Sequence, residues 1–140
     1  MTQGTMGVLA TALGLATLTG GCATEDVPPT LDALNGTVTY RQRIALPEEA
    51  VVQVRLLDVS RADAPSLVLS EANIETKGRQ VPIPFVVHYD PAMIDPRLSY
   101  AVDAKILING QIRWLSVTRV RVLTFGGPKD AVEVIVTPAK

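Results

Sequence analysis

The sequence is poor in the residues that most metal and redox sites require. Its 140 residues include one cysteine, Cys22, and one histidine, His88. A single cysteine excludes an internal disulfide and a zinc site built from cysteines. We therefore expect a fold held together by an apolar core, with neither a cofactor nor a metal ion.

Charge of one sign is also lacking. The chain has 13 Lys and Arg against 14 Asp and Glu, which gives a net charge of −1. Proteins that bind nucleic acid through its phosphates usually carry a basic excess. Nucleic acid is therefore not an expected partner.

Near the N-terminus the apolar residues form only a short run, Val8 to Leu18. A membrane-spanning helix needs roughly 20 apolar residues, whereas the core of a secretory signal peptide needs about 7–15. We expect residues 1–21 to be a signal peptide. The first basic residue is Arg41, so the segment lacks the usual N-terminal positive charge.

Cys22 directly follows three small residues, which suits a signal peptidase site, and the segment resembles a bacterial lipobox. It differs from the usual motif in having Thr19 where an aliphatic residue is common; Leu18 lies one position earlier. The expected role of Cys22 is lipidation, which would anchor the protein in a membrane. Ala23 favours the outer membrane, and a free thiol is the alternative for Cys22.

Beyond the cysteine we expect a flexible tether over residues 22–35, containing Pro28 and Pro29, and a folded domain over residues 36–138. Aromatic residues make up only 4% of the chain, while Val, Ile and Leu alternate with polar residues. The pattern predicts an all-β fold, a single antiparallel β-sandwich of about 7–8 strands. The clearest strands are predicted at Thr37–Leu46, Val51–Val59, Ser66–Thr76, Gln80–Tyr89, Tyr100–Ile108 and Ala131–Thr137.

Two of these segments carry more specific predictions. Pro82 and Pro84 would remove hydrogen-bond donors from one side of the strand Gln80–Tyr89, so that strand should lie at a sheet edge or at a bulge. Asn109-Gly110 is a strong signal for a tight hairpin, because both residues tolerate positive φ.

Arginines provide the candidate binding surface. Arg113, Arg119 and Arg121 all occupy odd-numbered positions, so alternation along the strands should point all three outward. Arg41 and Arg43 should lie on the outer face of the first strand. Such a surface could dock an acidic partner segment or lipid headgroups. The alternative is ordinary sheet surface, with ion pairs to Asp103 or Glu133.

The sequence contains no recognisable catalytic residues. By alternation His88 falls on the face opposite Phe85 and Val87, so we expect it at the surface. No G-x-S-x-G motif is present, and no further metal ligand stands at ligand spacing from His88. The acidic residues are scattered through turns and strands. We expect no catalytic residues, no metal site and no enzyme activity.

Several segments of the domain resemble one protein family. They are Gly36, the run Tyr40–Pro47, Asp58-Val59-Ser60, Pro82-Ile83-Pro84-Phe85 and Tyr100-Ala101-Val102. Together they resemble the YbaY-type lipoproteins, grouped with the YscW-type lipoproteins of type III secretion, called pilotins. The resemblance implies a β-sandwich lipoprotein on the periplasmic side of the outer membrane and, for pilotins, binding of a secretin subunit.

Three hypotheses about function follow from these observations. The first is a lipid-anchored, non-enzymatic binding module that chaperones or positions another envelope protein such as a secretin. The second is a housekeeping lipoprotein that contributes to envelope integrity without a dedicated client. The third is an enzyme with an unrecognised site.

Overall fold

The computed structural model describes residues 30–140, together with Gly4, Gly14, Gly20 and Gly21. The rest of the expected signal peptide, Cys22 and most of the expected tether lie outside the described residues. The predictions made for those segments therefore remain predictions.

Nine strands and one short 3-10 turn, Pro91–Met93, make up the regular structure of residues 30–140. No helix in this part of the chain is long and apolar enough to cross a bilayer. The strands are β1 Asp32–Thr39, β2 Val51–Asp58, β3 Leu67–Glu75, β4 Ile83–Tyr89, β5 Tyr100–Ile108, β6 Gln111–Leu115, β7 Val120–Val122, β8 Val132–Ile135 and β9 Thr137–Pro138.

The strands form two sheets that pack face to face. The smaller has the order β4-β1-β8, and the larger has the order β3-β2-β5-β6-β9, with β7 also paired to β5. The predicted all-β sandwich is confirmed. One pair departs from the antiparallel prediction, because β8 runs parallel to β1. The reason is a crossover: after β7 the chain leaves the larger sheet and enters the smaller one beside β1.

The core lies between the sheets and follows the alternation of each strand. In β2, for example, Val52, Val54 and Leu56 are fully buried, while Gln53 and Arg55 point to the outer face. Tyr100, Val102 and Ile106 of β5 supply the facing layer of apolar side chains. Burial of these apolar side chains provides most of the stabilisation of a domain that has no internal disulfide.

The first strand differs from its prediction at both ends. It begins at Asp32, four residues before Gly36, and ends at Thr39, well before Leu46. Its last bond to the neighbouring strand runs from the Val136 amide to the Thr39 carbonyl, at 2.9 Å. Gln42 interrupts the apolar alternation, and this was the signal that the strand had already ended.

The edge position predicted for the proline strand is confirmed, because β4 pairs only with β1. The Ser70 hydroxyl of β3 donates a hydrogen bond to the His88 carbonyl. Even-numbered residues of β4 therefore direct their backbone groups toward β3, and Pro82 and Pro84 lack the donors on that side. The two sheets approach each other here without a continuous ladder.

Candidate partner-binding surface

A break in the outer edge of β5 defines the candidate site. Strand β6 pairs with Lys105–Ile108 and β7 with Tyr100–Val102, so Asp103 and Ala104 have no strand partner on this side. Ser116 bridges the break: its amide donates to the Ala104 carbonyl at 2.9 Å, and its Oγ accepts from the Ala104 amide at 3.0 Å. The residues after Ser116 then leave the sheet until β7 begins.

An ion pair lies beside this break on the outer face of the larger sheet. Arg55 of β2 holds Asp103 with two hydrogen bonds, Nε to Oδ1 at 2.9 Å and a terminal guanidinium nitrogen to Oδ2 at 2.5 Å. Asp103 is only 8% exposed. The hydrogen bond to Asp103 raises the pKa of Arg55. The pair satisfies an otherwise buried carboxylate, which would be costly to leave unpaired.

A concavity of about 730 Å³ opens over the pair, and we call it the basic groove. Lys105 and Arg119 contribute cationic side chains to it and form no ion pair with the described residues. Because Asp103 is neutralised by Arg55, the groove carries a positive excess. Its lining is Arg55, Asp103, Ala104, Lys105, Leu115, Ser116, Val117, Thr118 and Arg119.

Arg113, Arg119 and Arg121 are all exposed, but they do not form a single regular stripe. Trp114 pairs with Ile106 and Ile112 pairs with Leu107, so Arg113 is the extra residue of a β-bulge. Arg119 lies in the break, and Arg121 lies in β7 opposite Ala101. The bulge and the break each interrupt the regular alternation of side chains. The prediction that the three arginines point outward together, which assumed unbroken alternation, therefore does not hold.

The predicted location of Arg41 and Arg43 on the outer face of β1 is wrong. Both are exposed in the loop that follows β1, because the strand ends at Thr39. The Tyr40 ring stacks on Trp114, with centroids 5.2 Å apart and planes at 14°. Arg41 directly follows Tyr40 and Arg113 directly precedes Trp114, so this stack brings the two arginines to the same end of the sandwich.

The alternative interpretation of the arginines, ion pairing with Asp103 or Glu133, is not what the described residues show. Asp103 pairs with Arg55, and Glu133 forms no ion pair there. Arg55 was not among the binding residues predicted from the sequence. Its signal was the alternation of Val51–Val59, which places Arg55 on the outer face of a central strand, where a carboxylate partner is needed from a neighbour.

A second, more apolar crevice of about 340 Å³ adjoins the basic groove. It lies between the free edges of β7 and β8, where the two sheets separate. Val117 and Thr118 line both concavities, so the segment after Ser116 forms the ridge between them. The remaining lining residues are Val120, Glu133, Ile135 and Thr137.

The groups considered for catalysis have structural roles or stand alone. His88 is exposed on the outer face of β4. The Asp90 carboxylate accepts a hydrogen bond from the Ala92 amide, and the Asp95 carboxylate accepts one from the Arg97 amide, both at 2.9 Å. Within the described residues, no three His, Cys, Asp or Glu side chains come together as a metal site would require.

Comparison with known proteins shows which family the chain belongs to. Residues 29–134 match the model of the type III secretion system lipoprotein chaperone YscW. The chain belongs to this YscW family of lipoprotein chaperones. The resemblance predicted from the residues is thus confirmed.

Two relatives agree with the assignment. The uncharacterized lipoprotein YbaY of Escherichia coli K12 is 40% identical over 96 residues, which is 69% of this chain and 50% of YbaY. The chain thus spans half the length of that relative. A structure of an alternative pilotin from the type II secretion system of Vibrio cholerae matches with a TM-score of 0.72 and 38% identity, over 79% of this chain and all of the pilotin chain.

The matches agree that this is a family of pilotin- and chaperone-like lipoproteins, which indicates a location in the cell envelope. The families it resembles are described as lipoproteins and chaperones, not as enzymes.

Proposed function

We propose that the protein is a non-enzymatic binding module, anchored by a lipid at Cys22 in the outer membrane and facing the periplasm. Its client would be an envelope protein such as a secretin subunit, which it would chaperone or position. The observation that carries the proposal is the basic groove, a concavity whose Lys105 and Arg119 form no ion pair with the described residues, in a fold of pilotin type.

The groove is suited to an extended segment that carries acidic residues. Lys105 and Arg119 offer charges that are not already neutralised, and the β5 edge is interrupted beside them. The Ala104 amide and carbonyl are both bonded to Ser116, so the segment would be held by its side chains and not by strand addition. The apolar crevice beyond Val117 would accept the non-polar side chains of the same segment.

Arg113, Arg121, Arg41 and Arg43 belong to the proposed surface as its outer part. They are exposed and form no ion pair with the described residues. Exposed charges of this kind contribute more to the rate and orientation of association than to affinity. We therefore expect their removal to slow client capture, with a smaller effect on the lifetime of the complex.

Site-specific photocrosslinking in cells tests the proposal. A crosslinking amino acid at Val117, on the ridge of the groove, should form an adduct with an envelope protein. The same amino acid at Val86, which is exposed on the outer face of β4, is the control. Equal labelling from Val117 and Val86, or no adduct from Val117, would contradict the assignment of the groove.

The anchor is tested separately by intact mass and membrane partition. The wild-type protein should gain acyl mass and sediment with membranes, and Cys22→Ser should not. If the two forms behave alike, the anchor is absent, whatever the crosslinking shows.

A further inference from the structure

Exposed apolar side chains gather at the end of the sandwich where β1 begins. Phe125 is 70% exposed, Met93 is 55% exposed and Leu31 is 54% exposed. Leu31 directly precedes β1, Met93 ends the 3-10 turn after β4, and Phe125 lies in the segment between β7 and β8. Large apolar side chains presented together on a surface usually mark a contact site.

Contacts between the three segments show that they share one end of the domain. Asp32 pairs with Tyr89 in the sheet, and its carboxylate accepts a hydrogen bond from Lys129 Nζ at 2.7 Å. The Thr124 hydroxyl donates to the Leu98 carbonyl, also at 2.7 Å. A cavity of about 290 Å³ lies between the loops, lined by Tyr89, Pro91, Ile94, Pro96, Leu123, Thr124 and Lys129.

The backbone around Phe125 is held in an unusual conformation. Leu123 and Phe125 have φ of +66° and +53°, values that bulky residues rarely adopt, and Gly126 follows at +76°. This turn exposes the Phe125 ring although the apolar cavity lies close by. A strained conformation of this kind is characteristic of a functional position.

With a lipid at Cys22, the end of the domain that carries Leu31 is the end joined to the membrane. Fully extended, the chain from Cys22 to Leu31 spans roughly 30 Å, so this end cannot lie farther than that from the bilayer. We propose that this end, through Phe125, Met93 and Leu31, inserts into the interface of a neutral phospholipid bilayer; the proposal rests on the anchor at Cys22.

The charged side chains at this end of the domain indicate which class of lipid it would contact. Lys129 is paired with Asp32, and Arg97 is paired with Asp95. Arg61, in the loop after β2 at the same end, is outnumbered by Asp58, Asp63, Asp90 and Asp130. The acidic excess disfavours anionic headgroups, so insertion depends on apolar area and should not weaken in high salt.

Fluorescence quenching by brominated lipid tests the insertion. Phe125→Trp and Val117→Trp are matched variants, because both positions are exposed but Val117 lies on the groove ridge, away from this end. The full chain, purified from membranes, is placed in phosphatidylcholine vesicles brominated near the headgroup end of the acyl chains. The added emission should be lost for Phe125→Trp and retained for Val117→Trp, at low and high salt.

Each outcome separates the insertion from the anchor. Retained emission from Phe125→Trp in a protein that carries acyl mass and sediments with the vesicles overturns the insertion and leaves the anchor intact. If acyl mass is absent, the anchor fails, and the contrast between the two variants added to vesicles still decides whether this end inserts. Thermal unfolding of both variants checks that each is folded.

Discussion

At the scale of single residues, Gly36 shows how closely the smaller sheet is packed. A Cβ at this position would lie 2.0 Å from the Val132 carbonyl oxygen and 2.7 Å from Cζ of Phe85. The first contact is with backbone, which cannot rotate away. Glycine is therefore required here by space, because β8 and the Phe85 ring both close on β1.

Gly36→Ala should consequently lower the free energy of unfolding by about 3 kcal/mol or more, the upper end of overpacking effects. Urea denaturation measures the change. Val86→Ala, at an exposed position on the neighbouring strand, is the control and should change stability by less than about 0.5 kcal/mol. Equal effects of the two substitutions would mean that β1 and β8 separate more easily than the structure indicates.

The Arg55–Asp103 pair supplies the second prediction. Arg55→Leu leaves a nearly buried carboxylate without its partner and should cost about 1–3 kcal/mol. Replacing both residues with leucine removes that carboxylate too, so the double variant should lose less stability than the two single variants added together. Additive losses in a urea-denaturation cycle would show that the pair is not coupled.

Residue-level prediction from the sequence was weakest where two distant strands determine one side chain. The exposure of His88 followed from alternation alone, and it is observed. The partner of Asp103 did not follow, because Arg55 is brought to it by the pairing of β2 with β5. Arg41 and Arg43 were misplaced because β1 makes its last strand bond at Thr39, to Val136, a partner distant in sequence.

At the scale of elements, the β5–β6 hairpin has the local chemistry that its turn requires. Asn109 and Gly110 have φ of +51° and +77°, as a two-residue turn of the type I′ class demands. Gly110→Ala should therefore destabilise the domain by about 1 kcal/mol, since alanine adopts this conformation at a cost. Thermal unfolding measures it, with Gln111→Ala as the exposed control; no difference between the two would contradict a turn dependent on glycine.

Elements set by local pattern were predicted well. The bounds of β5 agree with the prediction at both ends. The parallel pairing of β1 with β8 could not be predicted, because nothing in either strand specifies a partner almost a hundred residues away. The basic groove is non-local only in part: Arg55 reaches it through the pairing of β2 with β5, whereas Lys105 and Arg119 lie on the two sides of the β5–β6 hairpin.

At the scale of the whole molecule, two of the three ion pairs among the described residues lie at the end where the chain enters the domain. They are Asp32–Lys129 and Asp95–Arg97. The hydrogen bond from Arg97 lowers the pKa of Asp95 to about 2, and the hydrogen bond from Lys129 lowers the pKa of Asp32. Lowered pKa values mean that both carboxylates stabilise the fold above pH 3.8, the ordinary value.

That stabilisation should be lost as the pH falls from 3.8 to about 2, where Asp95 becomes protonated. Asp95→Asn keeps the oxygen that accepts the Arg97 amide but removes the charge. The variant should unfold at a slightly lower temperature than wild type at pH 7, and the difference should shrink to nothing near pH 2. Asp63→Asn, at an exposed carboxylate without a hydrogen bond, is the control; a difference for Asp95→Asn that persists in acid would refute the electrostatic cause.

The central position of β1 in its sheet has a mechanical consequence. β1 is bonded to β4 on one side and β8 on the other, and the bonds run across the strand axis, perpendicular to it in the antiparallel pair with β4 and slanted in the parallel pair with β8. If the chain is held at Cys22, drag on a captured client pulls on β1 along its own axis. The bonds on both sides then bear the load together in shear and do not open one after another. The domain would therefore resist mechanical unfolding when force is applied through its tether.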